Sequence, residues 1–116
     1  MTAGIGEALE PVTRVRGVRG AMIVSAAEGI VVAEAVMEGV DAPAVAALAA
    51  GLAARLRRAT DAAGRRAPVF IHLEAEGGAI VAVPGERDLL VVAVTQADVN
   101  VGLVRLELRR AADRLV

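Results

Sequence analysis

The sequence predicts an α/β (α+β) fold: a five-stranded, antiparallel-rich sheet of order 2-1-5-4-3, with one long helix on one face and two terminal helices on the other. Three observations predict it. Five short apolar runs are separated by Gly-containing turn signals. A long helical stretch opens at the N-cap candidate Asp41, carries no charge from Ala42 to Ala54 and stops at Gly64. The apolar runs also differ in whether both alternate faces are apolar, which sorts central strands from edge strands. The whole chain, residues 1–116, reads as one domain of order α-β-β-α-β-β-β-α.

The elements follow in order. Residues 3–15 fit a short helix with Ile5, Leu9 and Val12 on one side, although Pro11 spoils its interior. Gly17 and Gly20 bracket the start of the first strand, Arg19 to Ala26; Glu28-Gly29 turns it into the second, Ile30 to Ala35. Asp41 is a helix N-cap with Pro43 in the first turn, and the helix runs to about Ala63. Three strands follow: Val69 to Ala75, Ala79 to Val83 and Asp88 to Thr95, with turns at Gly77-Gly78 and Pro84-Gly85. Asp98 or Asn100 caps a last helix with Val101, Val104, Leu108, Ala111, Ala112 and Leu115 on one side. Both faces are apolar in Ala21 to Val24 and in Leu89 to Val94, so those strands are central. Val69 to Ala75 carries Phe70, His72 and Glu74 on one face and suits an edge; Glu34 puts the second strand at the other edge.

The long helix poses the functional question, because Ala42 to Ala54 carries no charge. At about 100° per residue, Val45, Leu48, Ala49, Leu52, Leu56, Ala59 and Ala63 form a stripe expected to lie on the sheet. The opposite side holds Ala44, Ala47, Gly51, Ala54 and Arg58. A helix normally shows water a polar face. One reading covers this side with a second copy, helix against helix, with Phe70 and His72 on the free edge strand joining the contact. The other reading is an inert Ala face in water, supplied by a base-biased genome.

Composition narrows the function. Hydrophobic residues make up 56% and aromatics 1%, so the core is aliphatic. All 13 basic residues are Arg, which with the Ala and Gly content points to a GC-rich bacterial genome. The net charge of −1 and a single Phe argue against nucleic-acid binding. Without Lys there is no P-loop of the Gly-Lys-Ser/Thr type, and without Cys no thiolate metal site or disulfide. Gly4-Ile5-Gly6 has no strand before it and is not a dinucleotide motif. No signal-like start and no apolar run long enough to cross a bilayer are present, so a cytoplasmic protein without membrane insertion is expected.

The chemical candidates are few. His72 is the only His, and a nucleophilic role would need Ser25 or Thr95 beside it plus an orienting carboxylate. A strand-surface or interface His is the simpler reading. Glu74 and Glu76 flank the Gly-Gly turn and are expected to be solvated. Arg55, Arg57, Arg58, Arg65 and Arg66 cluster near the end of the long helix. They either complement the helix C-terminus or face an anionic partner surface. No catalysis, cofactor or metal is expected.

The runs "GVRGAMIVSAAEGIVVAEA" (17–35) and "PVFIHLEAEGGAIVAVPGERDLLVVAVTQADVNVGLVRLELRRAADRL" (68–115) resemble the roadblock (dynein light-chain) family. The carrying features are the Gly-Val-x-Gly start, the acidic-Gly turn between two strands, a hairpin followed by an apolar strand, and the Asn100-x-Gly102 opening of the last helix. The resemblance implies a small non-catalytic dimer whose long helices meet and whose edge strands join. It also implies binding to a Ras-like small GTPase, as bacterial relatives do, one of them speeding hydrolysis without lending an Arg. Some bacterial regulators use a C-terminal extension that is not seen after Val116, so binding is implied more directly than stimulation of turnover. The expected function is a homodimeric adaptor for such a GTPase, with Arg55, Arg57, Arg65 and Arg66 as partner surface. A scaffold subunit without a GTPase, or a small-molecule sensor, are the alternatives.

Overall fold

The computed structural model describes residues 4–115. Its elements are α1 (Gly4–Glu7), α2 (Glu10–Thr13), β1 (Val18–Ser25), β2 (Ile30–Val36), α3 (Ala42–Ala62), β3 (Ile71–Ala75), β4 (Gly78–Pro84), β5 (Leu89–Thr95) and α4 (Val101–Arg114). The five strands form one antiparallel sheet of order β2-β1-β5-β4-β3, as the alternation of apolar faces requires. Met22 of β1 stands between Glu34 of β2 and Val92 of β5, which fixes the central register.

Each face of the sheet has its own apolar layer. Ala21, Ile23, Val81, Val83, Val91 and Ala93 point to one side, where Leu9 and Val12 of the N-terminal segment join Val104, Leu108, Ala111 and Ala112 of α4. Met22, Val24, Ala82, Leu90 and Val92 point to the other side, under α3. Alternation along β1 and β5 therefore feeds two cores at once.

The N-terminal helix is not continuous over 3–15: it divides into two single turns, and residue 3 lies outside the described residues. Pro11 has no N–H to give to the carbonyl of Glu7, so the helical ladder cannot pass through it. Leu9 and Val12 are fully buried, whereas Ile5 is 43% exposed.

Asp41 caps α3 by accepting the Ala44 N–H at 3.1 Å. At the far end Gly64 takes φ 73°, and the Arg65 N–H reaches the Thr60 carbonyl at 2.7 Å. The face that α3 lays on the sheet differs from the expected stripe. Ala42, Ala46, Ala49, Ala50 and Ala53 are buried there. Val45, Leu52 and Leu56 are half-buried along one margin, Leu48 is 47% exposed, and Ala59 and Ala63 are exposed. The helix is thus rotated by roughly a quarter turn, at about 100° per residue, from the orientation its largest side chains suggest. Small side chains occupy the line of closest approach to the sheet, and bulkier ones fill the wedge beside it.

Two boundaries also move. β3 begins at Ile71, not Val69: Val69 is 60% exposed, and its carbonyl accepts from the Arg109 guanidinium at 3.2 Å. The β4–β5 turn is longer than Pro84-Gly85. Pro84 closes β4, and Arg87 and Asp88 take φ 58° and 62°, a backbone conformation costly for side chains other than Gly. The Asp88 carbonyl accepts the Ala26 N–H at 2.8 Å, tying this turn to the β1–β2 turn. Of the two expected caps for α4, Asn100 is the one used; its side chain accepts the Leu103 N–H at 3.0 Å.

Candidate functional site

Ala44, Ala47, Gly51, Ala54 and Arg58 all lie on the outer, exposed face of α3, together with Leu48 and Arg55. They share this face because the buried alanines of the same helix point the opposite way. A Cβ built on Gly51 would meet nothing within 4 Å. The glycine is therefore not required by any contact within the chain, although it weakens the helix.

Beside this face runs an open groove of about 470 Å³. Val45 and Leu48 of α3 form one wall, and Leu73, Ala75, Ile80 and Val94 form an apolar floor on β3, β4 and β5. Asp41 and Arg19 stand at its end. It exists because α3 packs chiefly over β1 and β2, leaving the β3 half of the same sheet face without a helix. Sequence reasoning missed the groove residues. The signal was present in Leu73 and Ile80, a cross-strand apolar pair next to a free edge, but assigning Leu48 to the core hid the wall.

Among the described residues no strand pairs with the outer side of β3. His72 and Glu74 are exposed on the sheet face that carries α4, and the Phe70 and His72 rings lie 6.4 Å apart. Phe70 is half-buried against the α4-side core, with the Arg105 guanidinium 4.7 Å above its ring. It is thus engaged within the chain, while His72 faces solvent. Ser25 and Thr95 do not approach His72: β5 and β4 lie between the β1 of Ser25 and β3, and β4 lies between the β5 of Thr95 and β3, at about 4.8 Å per strand. Thr95 is buried and donates to the Gln96 carbonyl at 3.1 Å. Among the described residues His72 has no nucleophile and orienting carboxylate gathered with it.

Arg55, Arg57, Arg58, Arg65 and Arg66 are all exposed at and beyond the second half of α3. None is in an ion pair with another described residue; the ion pairs are Arg14–Glu10 and Arg110–Glu107. Glu74 and Glu76 are exposed beside their turn. Among the described residues no three His, Cys, Asp or Glu side chains gather as a metal site, and no helix is long and apolar enough to cross a membrane.

The outer face of α3, uncharged as far as Ala54 and basic beyond it at Arg55 and Arg58, lies beside an apolar groove whose floor reaches the edge strand β3. Comparison with known proteins agrees in architecture. The chain is 33% identical over 111 residues to the uncharacterised protein MJ0714 of Methanocaldococcus jannaschii, covering 96% of this chain and 92% of that one. Its fold superposes on Myxococcus xanthus MglB with a TM-score of 0.87 at 19% identity, covering 98% of this chain and 93% of that chain. The gliding protein MglB of Thermus thermophilus gives 0.85 at 23% identity, covering 97% and 86%. The family model described as the Roadblock/LC7 domain matches residues 4–95, from α1 through β5. The chain belongs to the Roadblock/LC7 domain family.

Proposed function

We propose that this protein is a non-catalytic, homodimeric adaptor of the cytoplasm that binds a Ras-like small GTPase. The observation that carries the dimer is the outer face of α3, uncharged from Ala42 to Ala54 and continuous with an apolar groove. A second copy related by a two-fold axis lays its α3 over that groove beside Val45 and Leu48, with Ala44, Ala47, Gly51 and Ala54 on the adjoining outer face letting the backbones approach closely. The β3 edge supports the same arrangement. With the axis at Leu73, antiparallel pairing sets His72 of each copy opposite Glu74 of the other, so a ring N–H donor faces a carboxylate acceptor twice across the edge. Phe70 and Arg58 lie at the margins of this contact.

The family resemblance supports a GTPase as the further partner. Arg55, Arg57, Arg65 and Arg66 then face acidic residues of that protein, contributing to encounter rate and orientation. The groove belongs to the second copy in this reading, and neither nucleotide nor cofactor is held by the adaptor.

Light scattering on a sizing column tests both parts. The chain alone should elute with the mass of two copies. Mixed with the small GTPases of its source cell, loaded with GDP or with a non-hydrolysable GTP analogue, it should co-elute with one of them. Raising the salt, or replacing Arg55 and Arg57 with Ala, should weaken that complex. Co-elution with none of them in either nucleotide state overturns the GTPase assignment and leaves the dimer standing on its own mass.

A further inference from the structure

Among the described residues the sheet has two edge strands without a further strand beside them, and only β3 is used by the arrangement above. The other edge, β2, is seven residues long and contains no Pro, Lys or Arg. Natural edge strands are usually shortened, interrupted by Pro or studded with Lys, because a bare row of N–H and C=O groups invites another strand. Here Ile30 is 54% and Val32 47% exposed on the edge strand itself. Ile5 of α1, 43% exposed, lies on the helix that packs against β2. The strand's defences are one charge, Glu34, a bulge where the pairing with β1 shifts between Ile23 and Val24, and the single turn α1 packed against it.

Charge says what kind of strand fits. From Ala26 to Val40 the chain carries Glu28, Glu34 and Glu38 and no basic residue. All three carboxylates are exposed, and none is in an ion pair with another described residue. Arg19 lies beyond the far end of β2, with its guanidinium close to Gly39. A second copy of β2 would bring three Glu against three Glu, which disfavours self-pairing, in contrast to the His72 and Glu74 of β3.

We propose that the β2 edge docks an extended, basic segment of another protein, which adds to the sheet as a further strand. Backbone hydrogen bonds to β2 hold it, Ile30 and Val32 take its apolar side chains, and its Arg or Lys residues face Glu28, Glu34 and Glu38. This reading is independent of the α3 dimer, since β2 and β3 lie at opposite edges of the sheet.

The test uses a fluorescein-labelled, acetylated peptide of alternating Arg and Val, read by anisotropy and mapped by backbone amide shifts of the intact protein. Three controls accompany it: a Glu and Val peptide, an Arg and Val peptide N-methylated at alternate residues, and an Arg and Ser peptide. Saturable binding is expected, with shifts centred on β2. Each control, and each of the exposed-site variants Glu34→Arg and Ile30→Ser, should weaken it by about tenfold or more. Absence of saturable binding, equal binding of the N-methylated peptide, shifts centred on β3 or α3, or unchanged affinity in both variants each overturns the proposal.

Discussion

Gly51→Arg separates the effect of the α3 contact from the effect on the chain itself. Within one chain the new Cβ meets nothing within 4 Å, so the substitution causes no clash. Replacing Gly with a good helix former in an exposed turn instead adds about 0.8 kcal/mol. With an unfolding entropy of about 2.1 cal/mol/K per residue over 116 residues, that corresponds to a rise in melting temperature of about 3 °C for the separated chain. At a close helix–helix contact the sign reverses. An inserted side chain costs about 1–3 kcal/mol, and the two-fold axis applies it twice, giving roughly 2–6 kcal/mol. Self-association should weaken by a factor of about 30 to 2 × 10⁴. Sedimentation equilibrium at micromolar concentration, with thermal unfolding of the same samples, reads both quantities. The expected result is a folded single chain with equal or higher intrinsic stability. A variant that stays dimeric while melting higher would refute the contact at Gly51, because the helix would have gained without the interface losing.

Other expectations concern the fold that presents this face. Gly78→Ala places a Cβ 2.6 Å from the Thr95 carbonyl oxygen; urea titration should show a loss of about 1–3 kcal/mol, and an unchanged midpoint would mean the strands part freely there. Asp41→Ala removes the acceptor for the Ala44 N–H and should cost about 1 kcal/mol, with protection lost first among the amides of the opening turn of α3. Arg87→Gly relieves a side chain held at φ 58°. The gain of about 1–2 kcal/mol is offset by about 0.5–1 kcal/mol of chain entropy, so a modest net stabilisation is expected; a loss would show that the turn is not strained.

Strand order was legible because side chains on a strand alternate strictly. Residues such as Met22 and Ile23, or Leu90 and Val91, show that both faces are covered, and only central strands can satisfy them. Helix orientation was harder to read. In α3 alanines lie all around the circumference, so the heavier Val45, Leu48 and Leu52 outweighed them, yet the sheet took the smaller side chains. Apolar size indicates which face gains most from burial, but closeness of approach is decided by what is small. The αL pair Arg87-Asp88 carried no Gly signal and was invisible for that reason. Of the surface residues, those chosen for being small, such as Ala47 and Gly51, lie outward as read, and Phe70 is claimed by Arg105 through a contact no local pattern encodes.

The alanine seam beneath α3 makes the two sides of the sheet unequal. Opposite it, Leu9, Val12, Val104 and Leu108 bring large side chains into the other layer. Each missing methylene forgoes about 0.8 kcal/mol, so the central helix is anchored lightly for its length. Its amides should therefore exchange with solvent earlier than those of α4. A partner settling on its outer side would add to what keeps it ordered, so occupancy of that face and rigidity of the helix would rise and fall together.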